Sequence, residues 1–136
     1  MKIFICASKH NYDKIASIKE QLEKAGHVIT LPNSYDFPER EKEMKKIGKD
    51  EHGVWKGEML RVQKIKVDAN DVIFVLNFEK NGVPNYIGGA TFLEIYMAFE
   101  QGKKVYLYNP IPEGILRDEL LGMQVTVINR DLGLVK

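Results

Sequence analysis

The stretch from residue 71 to residue 108 leaves this chain few folds to choose from. DVIFVLN (71–77) is an unbroken apolar run of strand length, the pattern of a strand covered on both faces. A glycine pair, Gly88-Gly89, then leads into a helix expected over 91–101, and Gly102 with the Lys103-Lys104 pair follows it. KVYLY (104–108) is a second apolar strand. Two buried strands joined through a helix run parallel, because the crossover brings the chain back to the end from which it started. The unit is strand, loop, helix, strand, and the helix carries Glu94 about one turn from its expected start.

The rest of the chain repeats that alternation. KIFICA (2–7) is a short apolar strand. Ile15, Ile18, Leu22 and Ala25 keep helical spacing over 12–25, and Gly26 stops that helix. A second strand is expected over 27–31, closed by Pro32, with a turn-rich loop over 33–38. The charged segment 39–49 reads as a solvated helix rather than a surface for nucleic acid. Met59, Val62 and Ile65 carry a further helix over 55–67. Pro110 and Pro112 shape a loop into a helix over 113–121, and the last strand is expected over 124–128. Five strands alternating with helices predict an α/β, flavodoxin- or Rossmann-like fold in one domain, 1–136: a five-stranded parallel sheet of order 2-1-3-4-5 with helices on both faces. Its switch point falls between strands one and three. The loop after Ala7 therefore meets the loop after Asn77, and ligands of such sheets bind at that edge.

Composition removes several function classes. With 20 basic and 19 acidic residues the formal net charge is +1, which gives no electrostatic grip on a nucleic-acid polymer or an anionic membrane. No apolar run approaches the ~20 residues of a membrane-spanning helix. The single cysteine, Cys6, has no partner for an internal disulfide, and the opening MKIFICAS is too short to be a secretory signal. A cytoplasmic protein is expected. His10, His27 and His52 are scattered without ligand spacing, so no metal is expected. There is no P-loop, no dinucleotide fingerprint after strand one and no strained nucleophile turn. No cofactor is expected.

The residues left at the ligand edge each carry two readings. Glu94 is a solvated carboxylate on an amphipathic helix, or an acid aimed at a ligand and favoured in its ionised form by the helix N-terminus. Gly88 and Gly89 make a turn requiring positive φ, or they let a sugar or phosphate approach the backbone amides. Ser8 and His10 cap the first loop, or they hold a phosphate or a sugar hydroxyl. Asn77 and Asn109 form turns at the ends of strands three and four, or they contact the ligand. Asp71 begins its strand at the far edge and reads as structural. Tyr96, Met97 and Phe99 read as packing.

Taken together, CAS after the first strand, DVIFVLN, the glycine turn, TFLEIYMAFEQGKKV and YLYNPIP resemble the nucleoside 2-deoxyribosyltransferase superfamily. That family holds base-exchanging transferases and hydrolases of the N-glycosidic bond of nucleoside 5′-monophosphates. The order of elements matches along most of the chain. The specific part is 71–108, with its E-x-x-x-A-x-x-x-G-K-x-V pattern at Glu94, Ala98, Gly102, Lys103 and Val105. The resemblance implies that Glu94 is the nucleophile. It implies a nucleoside or nucleotide substrate contacted by residues drawn from Cys6, Ser8, His10, Gln63, Asn77, Tyr86, Gly88, Gly89 and Asn109. It also implies a homo-oligomer, in which Arg117, Asp118 and Glu119 reach the next subunit's site; a solvated helix face is the competing reading of that trio. Three positions depart from the family's pattern. Gly88 and Gln63 stand where its transferases carry acids, and Phe4 stands where a tyrosine is common. Two functions follow: cleavage or transfer at an N-glycosidic bond, or nucleotide binding without catalysis on the same fold.

Overall fold

The computed structural model describes residues 1–33, 35 and 37–136. Residues 34 and 36, inside the loop expected over 33–38, lie outside the described residues. Five strands form one sheet in the order β2-β1-β3-β4-β5, with every neighbouring pair parallel. They are β1 (Lys2–Ala7), β2 (Val28–Thr30), β3 (Val72–Leu76), β4 (Val105–Leu107) and β5 (Thr126–Val127). The expected order and direction are those observed.

The period-two alternation of strands divides the core into two layers. Ile3 and Ile5 of β1, Phe74 of β3 and Tyr106 of β4 point to one face, where Ile15, Ile18 and Leu22 of α1 (Ile15–Lys24) cover them. Phe4, Cys6, Ile73, Val75 and Leu107 point to the other. There they meet Val67 of α3 (Lys49–Ala69), Ile95 and Ala98 of α4 (Gly89–Glu100), and Leu120 of α5 (Arg117–Gly122). Cys6 is thereby turned toward α4. At the opposite edge of the sheet Asp71 accepts the backbone N–H of Lys2 at 2.7 Å, which ties β1 to the start of β3.

Several boundaries differ from expectation for identifiable reasons. Residues Lys9–Lys14 form a 3-10 helix before α1 begins, so the first α-helix is shorter than 12–25. Helix α3 runs 21 residues through Gly53 and Gly57 instead of beginning at Trp55. Two helical glycines cost about 1 kcal/mol each against alanine, and Asp50 and Glu51 in the first turn offset part of that. Val67 is its buried residue, and Ile65, part of the apolar spacing read from sequence, is 65% exposed. Helix α2 (Arg40–Ile47) matches the charged segment, contributes no buried residue, and is joined to α3 through Gly48. Tyr96 and Phe99 of α4, read from sequence as packing, face outward. Among the described residues, no helix is long and apolar enough to cross a membrane.

Candidate active site

The carboxyl ends of β1 and β3 open into a cavity of about 250 Å³, just under the ~300–1,000 Å³ usual for small-molecule sites. Four segments wall it. Ala7, Ser8, Lys9 and Tyr12 come from the end of β1, and Lys80, Tyr86 and Gly88–Thr91 from the connection between β3 and α4. The third wall is Trp55, Lys56, Met59 and Gln63, which share one face of α3 at spacings of one and four residues. Pro32, Asn33, Pro38 and Glu41 close the outer side.

Glu94 forms the floor. It is the sixth residue of α4, one and a half turns in, and only 4% exposed. Two side chains hold its carboxylate: the Cys6 thiol donates to Oε2 at 3.3 Å and the Gln63 amide donates to Oε1 at 3.4 Å. Burial pushes its pKa up to about 7, against the Cys6 hydrogen bond and the positive charges of Lys66 and Lys56. The sequence reading, that the helix N-terminus would favour the charged form, is corrected here. The dipole effect fades beyond the first turn, and desolvation of a carboxylate sunk between α4 and the sheet is larger.

The neighbours follow the same physics. Burial, then the charge and hydrogen bond of Glu94, push the Cys6 thiol well above its usual range, although Lys66 opposes the shift. Cys6 is therefore a fixed donor and not a thiolate nucleophile. Tyr12 is pushed up to about 12, first by burial and then by Glu94, Cys6 and Glu41, so its phenol stays protonated.

Gly88 and Gly89 open α4 without left-handed backbone. Gly88 is extended at φ −83°, and neither glycine is among those with positive φ. The turn-type reading is thus corrected. A Cβ on Gly89 would meet nothing within 4 Å, and one on Gly88 would touch only the Tyr86 ring at 3.4 Å. What the two glycines keep clear is the cavity wall.

Of the residues expected at the site, Ser8, Gln63, Tyr86, Gly88, Gly89 and Glu94 line the cavity, and Cys6 lies directly behind Glu94. Four others stand elsewhere. His10 is exposed on the 3-10 turn and is not among the lining residues. Asn77 and Asn109 are buried and spend their polar atoms on each other's backbone. Asn77 Nδ2 donates to the carbonyls of Asn109 and Pro110 at 3.0 and 2.9 Å, and Asn109 N donates to Asn77 Oδ1 at 2.9 Å. Asn109 Nδ2 donates to the Asn77 carbonyl at 3.2 Å, and Arg130 Nε donates to Asn109 Oδ1 at 3.0 Å. Arg117 is exposed, 3.5 Å from Glu113 and outside the cavity of its own chain.

The sequence reading missed a second carboxylate. Glu41, on the helix read as solvated, turns into the cavity and meets His52 Nε2 at 3.0 Å and Lys56 Nζ at 3.3 Å. Partial burial works against its charged form, but the His52 hydrogen bond and the Lys56 charge outweigh it and hold the pKa below the usual range. Tyr12, Trp55 and Lys56 were missed as well. Only Tyr12 had a local signal, since residues just past strand one face the switch point.

A solved 2-deoxyribosyltransferase from the psychrotolerant bacterium Bacillus psychrosaccharolyticus superposes on 99% of this chain and 90% of its own, with a TM-score of 0.64 and 18% sequence identity. The two share a fold. Scans against protein families and against curated proteins find no match in sequence. That relative is described as a biocatalyst for nucleoside synthesis.

Proposed function

We propose that this protein cleaves or transfers at the N-glycosidic bond of a nucleoside, a deoxynucleoside or its 5′-monophosphate, with Glu94 as nucleophile. The observation that carries the reading is a buried carboxylate, fixed by two donors, at the floor of a cavity on the ligand-binding edge of the sheet. The fold shared with a deoxyribosyltransferase supports it. As the C1′–N bond breaks, its electron pair leaves with the base and positive charge grows on the sugar. The ionised Glu94 oxygen bonds to C1′ and forms a glycosyl ester. Water, or the nitrogen of a second base, then attacks C1′ and frees the carboxylate. Lys9 and Lys80 line the same cavity as the start of α4, whose first turn carries no acid, and suit a 5′-phosphate.

The test is release of free base from a panel of nucleosides, deoxynucleosides and their 5′-monophosphates, read by chromatography. Base release that disappears in Glu94→Gln, with the far-ultraviolet spectrum unchanged, supports the reading; no release from any member overturns it. One observation favours a binding module without catalysis: Gln63 and Gly88 stand where a catalytic acid would be expected, so Glu94 has no second acid beside it at the cavity floor. Tight binding without turnover across the panel selects that reading. Self-association belongs to the same proposal. Leu93, Tyr96 and Phe99 form an exposed apolar stripe at three-residue spacing on α4, suited to a second copy of the chain. Light scattering should give more than one chain per particle, and a monomer at micromolar concentration would remove that part.

A further inference from the structure

The cavity has two unlike halves. Toward the sheet stand Ser8, Gln63, Gly89 and Glu94, polar or small, around the floor. Toward the outer layer stand Pro32, Pro38, Trp55 and Met59, an apolar wall interrupted by Asn33 and Glu41. If the sugar lies over Glu94, a reading this inference rests on, the base must lie against the apolar half. The polar atoms of that half are then the ones that meet its edge.

Asn33 and Glu41 present acceptors there, and Lys56, the donor on the same wall, is already engaged by Glu41 Oε2 at 3.3 Å. Asn33 Nδ2 donates to the Met59 carbonyl at 2.9 Å, which fixes the orientation of the amide. Its Oδ1 is left buried, with no partner among the described residues. A buried acceptor without a donor is costly, and at the wall of a cavity it marks where a ligand donor fits. Glu41 adds its Oε1, since Oε2 is already met by His52 Nε2 at 3.0 Å and Lys56 Nζ at 3.3 Å. The His52 ring also lies 6.0 Å from that of Trp55, so the partners of Glu41 and the apolar wall sit together on α3.

We propose that the outer half of this cavity selects a nucleobase bearing an exocyclic amino group, with Asn33 Oδ1 and the Glu41 carboxylate accepting its N–H bonds and Trp55 and Met59 covering its ring. The chemistry excludes the alternatives by lone-pair conflict. A uracil or thymine edge flanks its single N–H with two carbonyl oxygens, and hypoxanthine sets one beside its own; each carbonyl would face an acceptor. Guanine sets its amino group beside a ring N–H, and the cytosine amino group presents two N–H bonds with one ring nitrogen as the neighbouring acceptor.

Calorimetric titration with matched pairs tests this: guanosine against inosine, and cytidine against uridine, each also as the 2′-deoxy and 5′-monophosphate forms. Where the native chain consumes the ligand, Glu94→Gln protein reads binding alone. The amino member of each pair should bind at least about tenfold tighter, and Glu41→Gln should bring the pair to within about threefold while nucleoside binding persists. Because Glu41 sits on a helix without buried residues, that variant keeps the core intact. Equal affinities within the pairs, tighter binding of the oxo member, or a preference unmoved by Glu41→Gln overturns the base assignment and leaves the reading of Glu94 standing. Failure of every nucleoside and nucleotide to bind overturns both.

Discussion

At Glu94 two effects compete: burial opposes the charge, while the Cys6 thiol, Lys66 and Lys56 favour it. Burial wins, and the sign of that balance is measurable in two ways. A carboxylate nucleophile acts only when ionised, so kcat/KM should rise with pH through a midpoint near pH 7 and level off above it. A profile that falls over the same range would make the protonated form the working one. The folded chain also binds the Glu94 proton more tightly than the unfolded chain, so the stability gain is complete below the ordinary carboxylate value of 4.5. It is lost as pH rises through about 7. That shift corresponds to about 3 kcal/mol at ~1.4 kcal/mol per pH unit. Urea unfolding of Glu94→Gln should therefore show a flatter pH dependence and a higher midpoint than the native chain at about pH 8. Gly89 gives a second test at this scale. With normal φ and open space at its Cβ position, Gly89→Ala should leave thermal stability equal or raise it by about 0.5–1 kcal/mol. Ligand binding should nevertheless weaken, because the added methyl projects from the cavity wall. Unchanged binding, read by calorimetry, would return Gly89 to a purely structural role.

Among the elements, β3 and β4 are joined at their carboxyl ends by the reciprocal amides of Asn77 and Asn109. Asn77→Ala would strand the Asn109 N–H and the carbonyls of Asn109 and Pro110 in the interior. At ~1–3 kcal/mol for a buried group left unpaired, a loss of about 3 kcal/mol in urea unfolding is expected, and a loss under about 1 would deny the clasp its structural weight. The strands were legible in sequence because burial on both faces leaves apolar runs such as VIFVL, which no other arrangement of this length explains as simply. The start of α4 was displaced because Gly88 caps from an extended conformation and leaves no propensity signal. The outer wall of the cavity was not legible at all. Glu41 and His52 are eleven residues apart on two helices, and only the fold-back at Gly48 brings them to 3.0 Å. No spacing rule for a single helix or strand contains that pair. A charged helix therefore reads as solvated even when one of its side chains turns inward.

Across the whole molecule the cavity is assembled from parts of unequal anchorage. Its floor belongs to β1, β3 and α4, whose residues are core on both layers. Its outer wall belongs partly to α2, which packs on α3 and buries nothing of its own. Local opening free energy follows buried contact, so amide hydrogen exchange should be fastest in α2 among the helices and slowest in β1 and β3. Saturating nucleoside should slow α2 selectively. Uniform protection throughout the chain, or no change in α2 on ligand addition, would contradict this division. The helix that brings Glu41 to the cavity thus owns almost no share of what keeps the chain folded. Substitutions there can retune what the protein accepts while leaving its assembly untouched, so descendants of this sequence are free to change diet without learning to fold again.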